Sequence, residues 1–120
     1  MPSIVQQQYR SPNVTTAAAA LVSAGSKVLV GWNLITSGTA SSYLKLYNAA
    51  SAGDVTVGTT TPIRTLLIPG GGTALLSNED QFQVAFNLGI VIAVTGGMLD
   101  SDTSAPSAAC YVEILYSANS

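Results

Sequence analysis

Short runs in which apolar and polar residues alternate make up much of this chain. The clearest runs are residues 27–35, 42–48, 81–86, 90–94 and 109–116. Alternation with a period of two is typical of β-strands that bury one face. Clusters of Gly, Pro, Ser, Asn and Asp separate the runs at short intervals. The pattern predicts roughly eight short strands and an all-β domain, a β-sandwich or jelly roll.

The apolar positions that share a face within these runs form the predicted core. They are Val28, Val30, Trp32, Leu44, Leu46, Phe82, Val84, Phe86, Ile92, Val112 and Ile114. No stretch has a clear helical period. Residues 16–22, which contain four consecutive Ala, are short and flanked by Thr and Ser, and we interpret them as strand or extended chain.

Residues 1–12 differ from the rest, with a run of three Gln between Pro2 and Pro12. We interpret them as an extended N-terminal arm that pairs with the sheet edge of a neighbouring subunit, and residues 13–120 as the β-sandwich domain. A frayed terminus is the alternative. The candidate contact residues of the arm are Ile4, Val5, Tyr9 and Arg10.

Charged residues make up only 8% of the chain, against roughly 25% in an ordinary soluble domain. A β-rich domain usually protects its strand edges with charge, and this chain has little to use. We therefore expect much of its outer surface to be buried against other subunits of a homo-oligomer. Tyr43, Lys45 and Tyr47 share one face of a run and are candidate contact residues, although they also fit an ordinary exposed strand face.

The composition offers little to catalysis. The chain has no His and one Cys, Cys110, which alternates with apolar residues and is expected to be a buried, unreactive thiol. Its few carboxylates include the adjacent Glu79 and Asp80 and the isolated Glu113, and neither arrangement suits a cooperating acid and base. We expect no enzyme activity, no catalytic residues and no cofactor.

Nucleic acid, membrane and metal partners are also not expected. The net charge is −2, and the four basic residues are scattered along the chain, whereas phosphate binding needs clusters of them. The most apolar stretch, residues 88–94, is far shorter than the ~20 residues of a membrane-spanning helix. Asp100 and Asp102 begin like a calcium loop, but the Gly and Glu that complete one are missing. Whether this loop binds a cation stays open.

Between residues 42 and 104 the chain resembles a group of small virion proteins of tailed phages and prophages, particularly cyanophages. The resemblance rests on residues 43–48 (YLKLYN), 57–62 (VGTTTP), 67–71 (LIPGG), 86–90 (FNLGI), 93–97 (AVTGG) and 100–103 (DSDT). It covers about half of the chain and includes no catalytic signature. Residues 1–41 lie outside it.

The resemblance implies a capsid decoration (cement) protein. Such proteins are β-rich modules, commonly trimers, that clamp neighbouring major capsid proteins from the outside of the head. We accordingly expect a homotrimer that binds the major capsid protein, made in the host cytoplasm and placed on the capsid exterior. The alternative is a fibre, baseplate or host-surface module that binds carbohydrate.

Overall fold

The protein consists of nine strands and one short helical turn. The structure is a computed structural model that describes residues 7–71, 75–77 and 84–118. The strands are β1 (Gln7–Val14), β2 (Ala20–Ala24), β3 (Lys27–Thr36), β4 (Ser42–Asn48), β5 (Arg64–Ile68), β6 (Leu75–Ser77), β7 (Val84–Phe86), β8 (Gly89–Thr95) and β9 (Cys110–Ala118). A 3₁₀ turn covers Ala52–Asp54. Within these described ranges, no helix is long and apolar enough to cross a lipid bilayer.

The strands form two antiparallel sheets that face each other. The first sheet has the order β1-β9-β3, with β6 and β7 on successive stretches along the far edge of β3. The second sheet has the order β2-β8-β4-β5. With β6 and β7 counted as one interrupted strand, the chain visits eight strand positions in the order of a jelly roll. This confirms the predicted all-β sandwich class.

The core lies between the two sheets and contains most of the predicted residues. Its buried members are Leu29, Trp32, Leu34, Leu44, Leu46, Leu66, Ile68, Phe86, Ile90, Ile92, Val94, Cys110, Val112, Ile114 and Tyr116. Val84 is partly buried and packs against this cluster, and Phe82 lies outside the described residues. Cys110 is a buried free thiol, as expected from its apolar neighbours.

The start of β3 departs from the predicted alternation. The register between β3 and β9 shifts between Leu29 and Gly31, so Val30 is an extra residue in a β-bulge. An extra residue reverses the two faces of a strand. Leu29 therefore occupies the core with 0% exposure, whereas Val28 and Val30 are only half-buried. Their assignment to the core was wrong for this reason.

The predicted arm is divided by the structure. Residues 7–12 begin β1, which pairs with β9 at the edge of the first sheet, and residues 1–6 lie outside the described residues. The expected boundary after residue 12 is thus corrected, because it falls inside a strand. An edge strand buries only one face and tolerates Pro, so the polar run and Pro12 are compatible with strand structure.

Candidate interaction surface

The outer face of the second sheet carries the side chains predicted from β4, but loops cover most of it. Tyr43, Lys45 and Tyr47 alternate outward as expected, yet Lys45 and Tyr47 are 0% exposed. Tyr47 packs in a second apolar cluster with Ala49, Val55, Val91 and Ala93. The loop that follows β4 supplies two of these residues. The interpretation of Lys45 and Tyr47 as surface contacts is therefore corrected: this chain covers them itself.

The loop after β8 is fastened to the sheet by Lys45. The Lys45 Nζ donates a hydrogen bond to the backbone carbonyl of Leu99. Hydrogen bonds from the side chain and backbone of Ser104 lower the pKa of Asp102, and the nearby charge of Lys45 contributes further. A buried ammonium needs such partners, because an unpaired charge is costly to remove from water. Lys45 thus positions the loop that carries Met98 and Leu99.

The two aspartates of this loop serve its turn. Asp102 Oδ1 accepts hydrogen bonds from the Ser104 backbone N–H at 2.9 Å and from the Ser104 hydroxyl at 2.6 Å. The Asp102 N–H donates to the Leu99 carbonyl at 3.0 Å. Over the parts of the chain that the structure describes, no three His, Cys, Asp or Glu residues come together as a metal site. These contacts give Asp102 a structural role in the loop.

An open apolar groove remains where the loops end. It has a volume of about 670 Å³. Tyr43 is partly exposed there, and Leu67, Met98 and Leu99 are 47%, 64% and 64% exposed. The lining residues are Tyr43, Thr65, Leu67, Met98, Leu99, Asp100 and Ser101. Contiguous exposed apolar side chains mark sites of protein contact more often than isolated ones do. We call this feature the β5 groove.

The outer face of the first sheet is polar by contrast. Glu113, which the sequence left without a partner, accepts hydrogen bonds from Gln8, from Asn33 at 3.5 Å and from the Tyr111 hydroxyl at 3.3 Å. The Arg10 guanidinium lies 5.4 Å from the centre of the Tyr111 ring. Cross-strand contacts of this kind stabilise a solvated sheet. This face is satisfied within the chain, so the β5 groove is the stronger candidate for an interface.

The structure does not bring the predicted contact residues together. Tyr43 lines the β5 groove, whereas Arg10 is exposed on β1 of the other sheet. Tyr9 is half-buried and packs against the core, which makes it a structural residue. Ile4 and Val5 lie outside the described residues. Met98 and Leu99 were missed by the sequence analysis, although two large apolar residues in a loop directly after Gly97 were a usable signal.

The hydroxyl of Tyr47 gives a test of the buried cluster. Within the described residues it is buried and has no hydrogen-bond partner. Burial, and secondarily the charge of Asp100, raise its pKa above the usual 10.0. We expect Tyr47→Phe to raise the free energy of unfolding by up to about 1 kcal/mol near neutral pH, because a desolvated hydroxyl is removed.

The pH dependence of this effect follows from the raised pKa. The unfolded chain releases the Tyr47 proton above pH 10.0, while the folded chain resists its release. Wild-type stability therefore falls as the pH rises past that value, and the variant escapes this part of the loss. Urea unfolding near neutral pH and in alkaline buffer measures both effects, with the partly exposed Tyr43→Phe as control. A destabilised variant would mean that the hydroxyl has a partner.

Comparison with known proteins supports the fold. No family model matches the chain, and no curated protein matches it in sequence. One solved structure with a similar fold comes from work described as "Bacillus endospore appendages form a novel family of disulfide-linked pili". It aligns with a TM-score of 0.51 at 18% identity, over 98% of this chain and 90% of that one. At this identity the likeness concerns the fold alone.

Proposed function

We propose that this chain is a capsid decoration protein, a structural subunit that binds the outside of a tailed-phage head and stabilises contacts between major capsid proteins. The observation that carries the proposal is the β5 groove, an exposed apolar surface on a domain with little charge. Burial of such a surface in a protein assembly is favourable. The resemblance over residues 42–104 supplies the phage head as the assembly, and a homotrimer as the oligomer.

The chemistry of the side chains supports a binding role. The chain has no His, and its single thiol is buried. The carboxylates of Asp102 and Glu113 accept hydrogen bonds from neighbouring side chains that hold the loop and the sheet. A general acid or base instead needs a free position facing a substrate. We propose no catalytic role for the chain, and we take the capsid protein and further copies of this chain as its partners.

The similar solved structure favours a second candidate, a subunit of a fibre or appendage. That protein forms pili that are described as disulfide-linked. The present chain has only Cys110, which is 1% exposed in β9. An appendage made from this chain would therefore be held by noncovalent contacts. The two candidates share the property of assembly through a β-sandwich and differ in copy number.

Binding to purified heads tests the proposal. Heads prepared without this protein are mixed with increasing amounts of it, and bound copies are counted against the major capsid protein. We expect saturation at a fixed ratio to the capsid protein and greater resistance of the decorated heads to heating. An unlabelled excess should compete, and an unrelated acidic protein of similar size should not bind. No saturable binding, or only a few copies per complete particle, would reject decoration, and the second result would favour the fibre.

A further inference from the structure

The β5 groove lies beside the least protected strand edge of the domain. β5 pairs with β4 over five residues without a register shift, and its other side is a sheet edge. The edge strands β1 and β2 both carry irregularities, between Ser11 and Val14 and between Leu21 and Ser23. Bulges and charged residues are the usual protection of an edge against another strand. β5 has no bulge, and its central outward residue is Leu67.

The edge and the groove together fit an extended peptide. Tyr43 and Leu67 are direct partners across the β4–β5 pair, so both side chains line the groove beside the free edge. A peptide that paired with the backbone of β5 would place alternate side chains next to Leu67 and Met98. This is recognition by strand addition, in which backbone hydrogen bonds give affinity and side-chain pockets give specificity.

The start of β1 indicates which peptide this is. Gln7 pairs with Tyr116, which itself pairs with Leu29 near the beginning of β3. The β5 groove lies at the opposite end of the strands, where Tyr43 pairs with Thr95 near the β3–β4 turn. The two places are also on different sheets and at opposite lateral edges.

The six residues before Gln7 cannot cover that distance on their own molecule. Fully extended, they span about 20 Å. The six positions from Leu29 to Ile35 already amount to roughly 20 Å along the strands, and the two sheets are a further ~10 Å apart. The segment can therefore reach the β5 groove only on another copy.

We propose that residues 2–6 of one copy add a strand to β5 of the next copy and place Ile4 or Val5 in the β5 groove. This deepens the proposed function and rests on it in one respect, that the chain is an assembly subunit. The segment carries no charged side chain, and it offers apolar residues to an apolar groove. Because the contact joins two different patches, repetition closes it into a ring such as a trimer or extends it into a filament.

Disulfide trapping between two variants tests the contact in purified protein. Val5→Cys and Leu67→Cys are prepared separately, mixed and mildly oxidised. The native Cys110 is 1% exposed, so it does not interfere. Docking raises the local thiol concentration toward the millimolar range, and we expect the mixed dimer to form at least about tenfold faster than with a control thiol. The control is Leu21→Cys on β2, the other edge of the same sheet, where Leu21 is 39% exposed.

Sedimentation of two further variants completes the test. Deletion of residues 2–6 and Leu67→Asp should each raise the concentration needed for self-association by about tenfold or more, because each removes an apolar anchor. Leu88→Asp, at a position 51% exposed outside the groove, should not. Circular dichroism and a thermal melt confirm that each variant folds.

Each other outcome overturns the inference. Equal trapping at positions 67 and 21 would show random collision. Trapping of Leu67→Cys with itself, together with normal association of the deletion variant, would show that two grooves meet face to face. Failed trapping by a protein that still decorates heads would reject the strand contact and leave the proposed function standing. Successful trapping by a protein that does not bind heads would reject decoration alone.

Discussion

Phe86→Ala is expected to lower the free energy of unfolding by about 3–5 kcal/mol. Phe86 is 0% exposed in β7 and belongs to the core between the two sheets. Truncation removes the aromatic ring from this core and leaves a cavity that the surrounding strands fill only partly. A domain of this kind has about 5–15 kcal/mol of stability in total, so the variant would be close to unfolding at physiological temperature.

Urea unfolding followed by circular dichroism measures this loss. Leu88→Ala is the matched control, because Leu88 lies two residues further along the chain and is 51% exposed. We expect that control to change stability by less than about 0.5 kcal/mol. A loss below about 1 kcal/mol for Phe86→Ala would contradict the packing of β7 against the core.

The strands with an uninterrupted alternation were predictable from the sequence. The run at residues 42–48 coincides with β4, and its inward residues Leu44 and Leu46 are both buried. A sandwich imposes this pattern because each inward position faces the opposite sheet. The order of the strands within the sheets was not predictable to the same extent. It depends on pairs that are distant in sequence, such as β1 with β9.

Local irregularity explains the errors at β3. A bulge changes which side chains face the core, and Val30 looks like any other residue of an alternating run. β5 was missed because only Leu66 and Ile68 mark its inward face in a five-residue strand between two Pro. Short edge strands give a periodicity signal too brief to separate from a loop.

The candidate interface was predictable only in part. Alternation correctly directs Tyr43, Lys45 and Tyr47 away from the core, but it does not indicate whether a loop covers them. That cover depends on Lys45 binding the carbonyl of Leu99, which is 54 positions away in sequence. The β5 groove likewise combines residues of β4, β5 and the loop after β8, so no local motif marks it.

Deletion of residues 2–12 is expected to cost about 5 kcal/mol or more, enough to unfold a domain of this stability. The deletion removes most of β1, including the five residues from Gln7 to Ser11 that pair with β9. It also removes Tyr9 from the edge of the core and the Gln8 amide from Glu113. The backbone groups of β9 that β1 satisfied would then need water as their partner.

The shorter deletion of residues 2–6 separates folding from assembly. It stops before Gln7 and leaves every described pair of β1 intact, so we expect its midpoint of thermal unfolding to match that of a wild-type sample kept dilute enough to be monomeric. The same variant is expected to lose self-association through β5. If the longer deletion melted like the wild type, β1 would contribute nothing to the sandwich. If the shorter one unfolded the domain, residues 2–6 would belong to the fold of their own molecule, and strand addition to a neighbour would be excluded.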